Sequence, residues 1–496
     1  MDYTNTNDIV IRDIKEQFND KGEYSCTLPF TSKKSDVFLS HVLRTILTEI
    51  KQENLFVHLE YVLNELAMNA SKANSKRLYF TSMNLDINNS EDYEKGMITF
   101  KKDVLNKFKE FEKNHYENNS FVNISLKTDK ETISINIVNN SPLLQPETAL
   151  IAERLQAAHG FEDLTDVFNH NFSTKEGRGL GLIIIVLMLR KLSLNENAIV
   201  FKNEGSCCTT TLKVPLSRLS KDHGKIIADE ITNEIQQMPQ FPESIVSLQK
   251  ELSEPNCSFK SIAGKIDSDP SLTAEILRIA NSPVYKVRSE IKDVAGAVRI
   301  MGMLGVKSVL YNYGVNKVMS SRYNRQAIKE VNEHSYYVAR VSSYLAIYKN
   351  LGKIAEDIYV AALLHDIGKI IVNSMNKELE SKLKELCTRK YIPISILEDL
   401  TKGYNHSMIG SEVAEKWNFP EKYISAIAYH HMPYDVSDEY KTLIYAISFG
   451  NEIYYYNKGE RDFNDLNYMV LEYFDLENEE HFHEFIQSLK MQGFEG

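Results

Sequence analysis

Three groups of residues in this 496-residue chain have the types and spacing for chemistry. His365 and Asp366 are adjacent, delivered by the apolar run Ala361-Ala362-Leu363-Leu364 and followed by Gly368 and Lys369. An imidazole nitrogen and a carboxylate oxygen can ligate one transition-metal ion together. Glu65, Asn69 and Lys72 recur three to four residues apart and so share one face of a helix. A carboxylate that orients water, an amide oxygen that faces a cation and an ammonium that meets phosphate suit Mg-nucleotide, although a solvated helix face has the same spacing. Thr174-Lys175 with Gly177, Gly179 and Gly181 lead into an apolar helix. Glycines before a helix N-terminus let backbone N–H groups approach phosphate.

The elements that must position these residues differ between the two halves. Residues 36–75 read as two amphipathic helices, the first capped by Asp36 with Leu39, Leu43, Ile46 and Ile50 on one face. The second carries Val57, Tyr61, Val62, Leu66 and Ala70 opposite the polar trio. Residues 121–127 and 131–138 alternate like a hairpin, and 88–118 read as an inserted charged helix with a solvated face. Leu216–Gln237 reads as a mostly polar helix connecting the halves, ended by Pro239 and Pro242. From Met238 onward the pattern is helical, with caps expected at Ser258 and Asp269.

Composition narrows the class. A formal net charge of −11 argues against a chain-wide footprint for nucleic acid. The N-terminus lacks the basic and apolar regions of a signal peptide, and the run Leu180–Leu189 is too short to span a bilayer. Five cysteines, two of them adjacent at Cys207-Cys208, give neither a disulfide framework nor zinc spacing. The expectation is a cytoplasmic protein without a membrane anchor.

Residues 30–216 resemble the ATP-binding domain of histidine kinases and the GHKL ATPases, an α/β sandwich. Asn64-Glu65-Leu66-Ala67-Met68-Asn69-Ala70-Ser71-Lys72 is similar to that family's N box, and Thr174-Lys175 with Gly177-Arg178-Gly179-Leu180-Gly181 is similar to its second glycine box. The resemblance implies Mg-ATP, with Glu65 as the catalytic or orienting carboxylate, Asn69 as magnesium ligand and Lys72 as phosphate contact. The strand from Ala198 to Phe201 and Thr209 to Pro215 fits the family's ending. One box departs: Asn139 stands where the family's Asp reads adenine, and Ser141 and Leu143 replace its glycines. An amide lacks charge assistance there, and the substitutions restrict the backbone. His41 sits in a segment resembling the phosphoacceptor helix, but Val42 and Ile46 replace its acid and proline. It reads as an ordinary helix residue.

The second half resembles the all-α HDOD domain, a regulatory relative of the HD phosphohydrolases. The likeness rests on Met238-Pro239 with Phe241-Pro242, Asp267-Ser268-Asp269-Pro270-Ser271-Leu272-Thr273, Leu277-Arg278-Ile279-Ala280-Asn281-Ser282, the His365-Asp366 segment, His406–Gly410, Trp417-Asn418-Phe419-Pro420 and Ala428-Tyr429-His430-His431-Met432-Pro433. It implies iron or manganese at His334, His365 and Asp366, with Lys369 on phosphate. His406, His430 and His431 resemble the additional histidines of HD-GYP cyclic-dinucleotide phosphodiesterases, although the Gly-Tyr-Pro element is absent. Ser448 falls where HD enzymes have their last Asp.

The expected organisation is therefore 1–216 kinase-like ATPase domain, 217–238 connecting helix and 239–496 HDOD domain. Each half lacks one residue on which the chemistry of its catalytic relatives depends, the Asp at Asn139 and the last Asp at Ser448, which points to a regulatory signalling protein. It would bind a protein partner or nucleotide, and the family resemblance implies a homodimer. A metal-dependent phosphohydrolase regulated by ATP is the alternative, and an active ATPase or kinase (with Glu65 catalytic) the second.

Overall fold

In the first half, alternation and helical periodicity build a sheet with helices packed on it. The computed structural model describes residues 8–106, 115–129, 131–169, 180–192, 194–216, 229–252, 254, 257–281, 289–375, 377–390, 392, 394–401, 403–433, 436–463 and 466–493. The chain divides into two units, Met1–Gly224 and Lys225–Gly496.

The first unit contains α1 (Asp8–Lys21), β1 (Glu23–Leu28), α2 (Lys33–Glu49), α3 (Phe56–Ser82), α4 (Ser90–Asn106), β2 (Val122–Thr128) and β3 (Thr132–Asn139). It continues with α5 (Gln145–His159), α6 (Leu164–Asn169), α7 (Leu180–Lys191), β4 (Ile199–Glu204) and β5 (Cys207–Pro215). The strands form one antiparallel sheet in the order β1-β2-β3-β5-β4. Period-two alternation buries Val122, Ile124 and Leu126 on β2 and Ile133, Ile135 and Ile137 on β3, and it carries Asn139 inward on the same face. Helix α3 packs on β2 and β3, and α7 packs on α3.

One expectation for this unit changes. The first amphipathic helix begins earlier than Asp36: Ser32 is its N-cap, and Ser32 and Ser35 exchange side chain-to-backbone hydrogen bonds. That reciprocal pair satisfies N–H groups that Asp36, now in the first turn, cannot reach. The charged helix near 88–118 has the expected solvated face on α4 and packs its other face. Tyr93, Met97 and Phe100 of α4 pack on Tyr79 and Phe80 of α3, a small core beneath a charged exterior. Residues 107–114 lie outside the described ones.

The second unit is helical throughout its described residues. It contains α8 (Asp229–Gln237), α9 (Glu243–Leu252), α10 (Phe259–Asp267), α11 (Pro270–Ala280), α12 (Val294–Met319), α13 (Arg325–Tyr348), α14 (Ala355–Leu364) and α15 (Ile367–Met375). It continues with α16 (Lys377–Lys390), α17 (Ile394–Asp399), α18 (His406–Lys416), α19 (Glu421–Tyr429), α20 (Asp438–Asn457), α21 (Tyr468–Tyr473) and α22 (Glu479–Met491). Asp269 caps α11 by accepting from the N–H groups of Ser271 and Leu272, as its position before Pro270 predicts. Of the expected connecting helix, 217–228 lie outside the described residues. The remainder is α8, which is docked on the helical unit: Ile231 is buried, Glu234 pairs with Arg322 at 2.8 Å, and Lys416 donates to the carbonyls of Ile235 and Gln236 at 2.7 Å each. Among the described residues one stretch, Ala355–Met375, is long and apolar enough to cross a membrane, and it is largely buried within this unit.

The segment after Asn139 is held by charge. Glu147 accepts from Arg77 at 2.5 and 2.8 Å and from Lys76 at 2.7 Å, and Arg77 also donates to the Pro142 carbonyl at 2.7 Å. Burial would raise the Glu147 pKa, but hydrogen bonding to Arg77 and the charges of Lys76 and Arg77 outweigh it and bring it down to about 2. A depressed carboxyl pKa stabilises the fold above its unfolded value near 4.5, and that stability is lost as pH falls toward 2. In the full chain, Glu147→Gln is expected to destabilise the first unit at pH 7 by on the order of 2–3 kcal/mol. The difference from wild type should shrink between pH 4.5 and 2 in thermal or urea melts; a constant difference would show that this ion pair is not responsible.

Candidate functional site

Helix α14 ends at Leu364 and α15 begins at Ile367, so His365 and Asp366 occupy the two-residue turn between them. The Asp366 side chain is fully buried. Its Oδ2 faces His334 Nε2 from α13 at 3.3 Å, His365 Nε2 at 3.1 Å and Lys369 Nζ at 2.8 Å. Its Oδ1 faces His406 Nε2 from α18 at 3.3 Å and His430 Nε2, just past α19, at 3.5 Å. Two donor groups therefore share one carboxylate: His334, His365 and Asp366, and Asp366, His406, His430 and His431.

The approach of α15 to α18 makes this possible. A Cβ on Gly368 would overlap the His406 carbonyl oxygen and stand 2.7 Å from the Gly410 nitrogen, while one on Gly410 would stand 2.8 Å from Ile427 Cγ2. Glycine at both positions lets two helix backbones meet and sets His406 against Asp366.

The ring orientations are fixed from outside the cluster. His365 Nδ1 lies 2.6 Å from the Ala362 carbonyl, and His430 Nδ1 lies 2.8 Å from the Ile427 carbonyl. A carbonyl only accepts, so both Nδ1 atoms donate and, in the neutral ring, both Nε2 atoms present lone pairs toward Asp366. Each histidine is the C-cap of its helix, and its ring returns to the carbonyl three residues back, one of the helix-end acceptors that otherwise lacks a donor. His406 Nδ1 pairs with the buried Glu398 carboxylate at the end of α17, directing its Nε2 inward as well. A carboxylate behind a ligating histidine is the usual way to orient it and raise its basicity.

Electrostatics agree with this geometry. Burial lowers His334 and His430 to about 3 each and His431 well below the usual range, keeping these rings neutral. Burial would likewise lower His406, but the Glu398 charge and bonding to Asp366 raise it. Asp366 would be raised by burial, yet His365 and Lys369 hold it well below the carboxylate range. The Nε2 atoms of His334, His365 and His431 and Oδ1 of Asp366 are buried without a partner in hydrogen-bond geometry. Converging lone pairs around an ionised carboxylate suit a cation, and an imidazole and carboxylate set fits iron, manganese or zinc. His334, His365, Asp366, His406, His430 and His431 are the residues that would hold it.

All six expected metal residues are thus brought together, with Lys369 beside them. Sequence reasoning missed Glu398, which has no motif position, and Asn451 on α20. On α20 the Asn451 side chain opposes the downward shift of the His334 ring, and Ser448, three residues earlier, is buried on the same helix. Tyr454, one turn beyond Asn451, packs edge-on against His334 with ring centroids 4.4 Å apart.

In the first unit, Glu65 is buried and lies against Gly181: a Cβ there would overlap Glu65 Oε1. The structure thus joins the polar helix to the start of α7. Asn69 and Lys72 are exposed on α3, while Thr174, Lys175, Gly177 and Gly179 lie outside the described residues. Asn139 is directed to protein groups, its Nδ2 donating to Asn74 Oδ1 at 3.0 Å and the Ser141 carbonyl at 3.2 Å.

Residues 238–433 form an HDOD domain by their match to that family's model. Over 464 residues, 94% of this chain and 90% of the relative, the chain is 28% identical to a protein of Treponema pallidum (strain Nichols) described as uncharacterized. Among solved structures, an HDOD domain protein of unknown function from Geobacter sulfurreducens is 23% identical, with 45% of this chain and 75% of that one covered and a TM-score of 0.40. A candidate phosphohydrolase from Shewanella amazonensis SB2B is 18% identical, covering 54% and 97%, with a TM-score of 0.43. A candidate signal transduction protein from Marinobacter aquaeolei VT8 is 16% identical, covering 60% and 74%, also at 0.43.

Two substitutions and a control test these packing relations. Gly368→Ala should push α15 from α18, costing about 1–3 kcal/mol in a thermal melt and lowering retained metal. An unchanged melt would show that the helices do not meet as described. Asn139→Asp turns two donated hydrogen bonds into acceptor–acceptor contacts and should cost about 1–3 kcal/mol. Asn69→Asp, on the exposed face, should leave the melt unchanged.

Proposed function

We propose that this is a cytoplasmic signal-transduction protein whose HDOD domain holds a transition metal and binds a phosphorylated ligand or a protein partner without turning it over. The observation that carries the reading is the set of buried Nε2 atoms directed at the Asp366 carboxylate, with Nδ1 of His365, His406 and His430 held from behind. A bound ion would supply Lewis-acid charge for an anionic oxygen. Lys369, less completely buried than Asp366, adds an ammonium beside it. The neutral Asn451 beside His334 supports binding over turnover, because it offers no carboxylate charge to a cation there.

The first unit we read as a histidine-kinase-like ATPase scaffold used for regulation. The contact between Glu65 and Gly181 supports the scaffold, since it joins the two segments that resemble the N box and the glycine box. The inward hydrogen bonds of Asn139 support a weakened adenine site, because the amide at the base-reading position already donates to Asn74 and Ser141.

A second reading, phosphodiester hydrolysis, is favoured by the four-donor group of Asp366, His406, His430 and His431. Both readings are tested on full-length protein purified without chelator and loaded with iron or manganese. The expected result is retained metal that is lost in Asp366→Ala, with no hydrolysis of bis(p-nitrophenyl) phosphate or a cyclic dinucleotide above the Asp366→Ala background. Metal-dependent turnover would establish the hydrolase. Protein that retains no metal would overturn both.

A further inference from the structure

The two oxygens of Asp366 do not face equal surroundings. Oδ1 looks toward the four-donor group, and behind it the Glu398 carboxylate pairs with His406. Oδ2 looks toward the three-donor group, and there the Lys369 ammonium already sits at 2.8 Å. Lys369 is three residues after Asp366, in the first turn of α15, so the helix holds its side chain over the carboxylate rather than leaving it free to swing away. Its side chain is 17% exposed. A second lysine reinforces the asymmetry: Lys458 lies over the ring of Tyr454, which packs against His334. Positive side chains gather on the His334 side, and the additional carboxylate lies on the His406 side.

We propose that the centre takes a single metal ion, held by Asp366, His406, His430 and His431, and that the Lys369 ammonium stands in for a second ion on Oδ2. This deepens the metal-holding reading above and rests on it. The charge count supports it. Two divalent ions together with Lys369 would set five positive charges against the carboxylates of Asp366 and Glu398, whereas one ion with Lys369 sets three. Buried charge is tolerated only when it is closely compensated. The His334, His365 and Asn451 group can offer nitrogen and amide donors to a cation on Oδ2, but no further carboxylate to offset its charge. The four-donor group has three imidazoles and an oxygen that Lys369 does not occupy. That is enough for a four-coordinate or partly hydrated transition-metal ion.

The test is metal stoichiometry on the full chain, loaded with excess Mn(II), desalted and measured by elemental analysis and electron paramagnetic resonance. The expected result is one manganese per chain with the six-line signal of an isolated ion. His430→Ala should lose it, and His334→Ala should retain it. Lys369→Met combined with Asn451→Asp removes the ammonium and supplies a carboxylate. That variant should gain a second ion and an exchange-coupled spectrum, with helical content checked by circular dichroism. Two ions in the wild type, or one ion lost in His334→Ala and kept in His430→Ala, would overturn the assignment while leaving the metal-holding reading intact. A folded double variant that still holds one ion would show that Lys369 is not what excludes the second. Wild-type protein with no manganese would remove the metal-holding reading itself.

Discussion

A carboxylate with no exposed surface is the constraint around which the helical unit is arranged. Removing Asp366 from water costs several kcal/mol unless cations and hydrogen-bond donors replace the solvent. The chain meets this with groups from α13, α14, α15, α18 and the turn after α19, so the site cannot form until those helices are docked. The fold also supplies the secondary supports from its own irregularities. Helices that stop at a histidine leave carbonyls in need of donors, and the histidine ring returns to one of them. Glycines at 368 and 410 remove the side chains that would keep α15 and α18 apart.

The first unit faces a milder form of the same problem and resolves it with protein groups alone. Glu147 is largely buried, but Arg77 and Lys76 reach it from α3, and it also accepts from the Leu144 N–H at the start of its own helix. Its oxygens are satisfied, and the segment from Pro142 to Glu147 is tied to α3 as a result. Asn139, the last residue of β3 and three before that segment, is likewise satisfied by Asn74 and Ser141. A closed polar network of this kind fixes structure and leaves little unpaired donor capacity for a ligand.

Much of this was legible in the sequence where a local rule governs. The β2–β3 hairpin follows from strict alternation, and α11 follows from Asp269-Pro270. The histidines at 334, 365, 406, 430 and 431 carried the donor chemistry of the site in their residue types. What local rules could not supply was direction. That Asn451 bears on His334 depends on the rotation of α20 against α13, a property of packing that no spacing within α20 records. Glu398 was invisible for a similar reason: a glutamate at the end of a short helix reads as solvent-facing until α18 is docked beside it. The start of α2 was misplaced because Ser32 and Ser35 together satisfy more backbone N–H groups than one aspartate.

The same distinction between residue type and direction separates a metal centre from a polar core left behind after chemistry is lost. A residual polar core survives only if its groups satisfy one another, because each buried group left unpaired costs about 1–3 kcal/mol. Here the Nδ1 positions of three histidines are paired outward, whereas Nε2 of His334, His365 and His431 and Oδ1 of Asp366 are buried without hydrogen-bond partners. Four such atoms are thus collected around one carboxylate. Apolar residues of similar volume would be as stable or more stable in a core with no other duty. A cation among Asp366, His406, His430 and His431 would remove the penalty at His431 Nε2 and Asp366 Oδ1, which have no hydrogen-bond partner in the local packing. The inward lone pairs are costly as structure and favourable as ligands, so the residues gathered here could hold an ion.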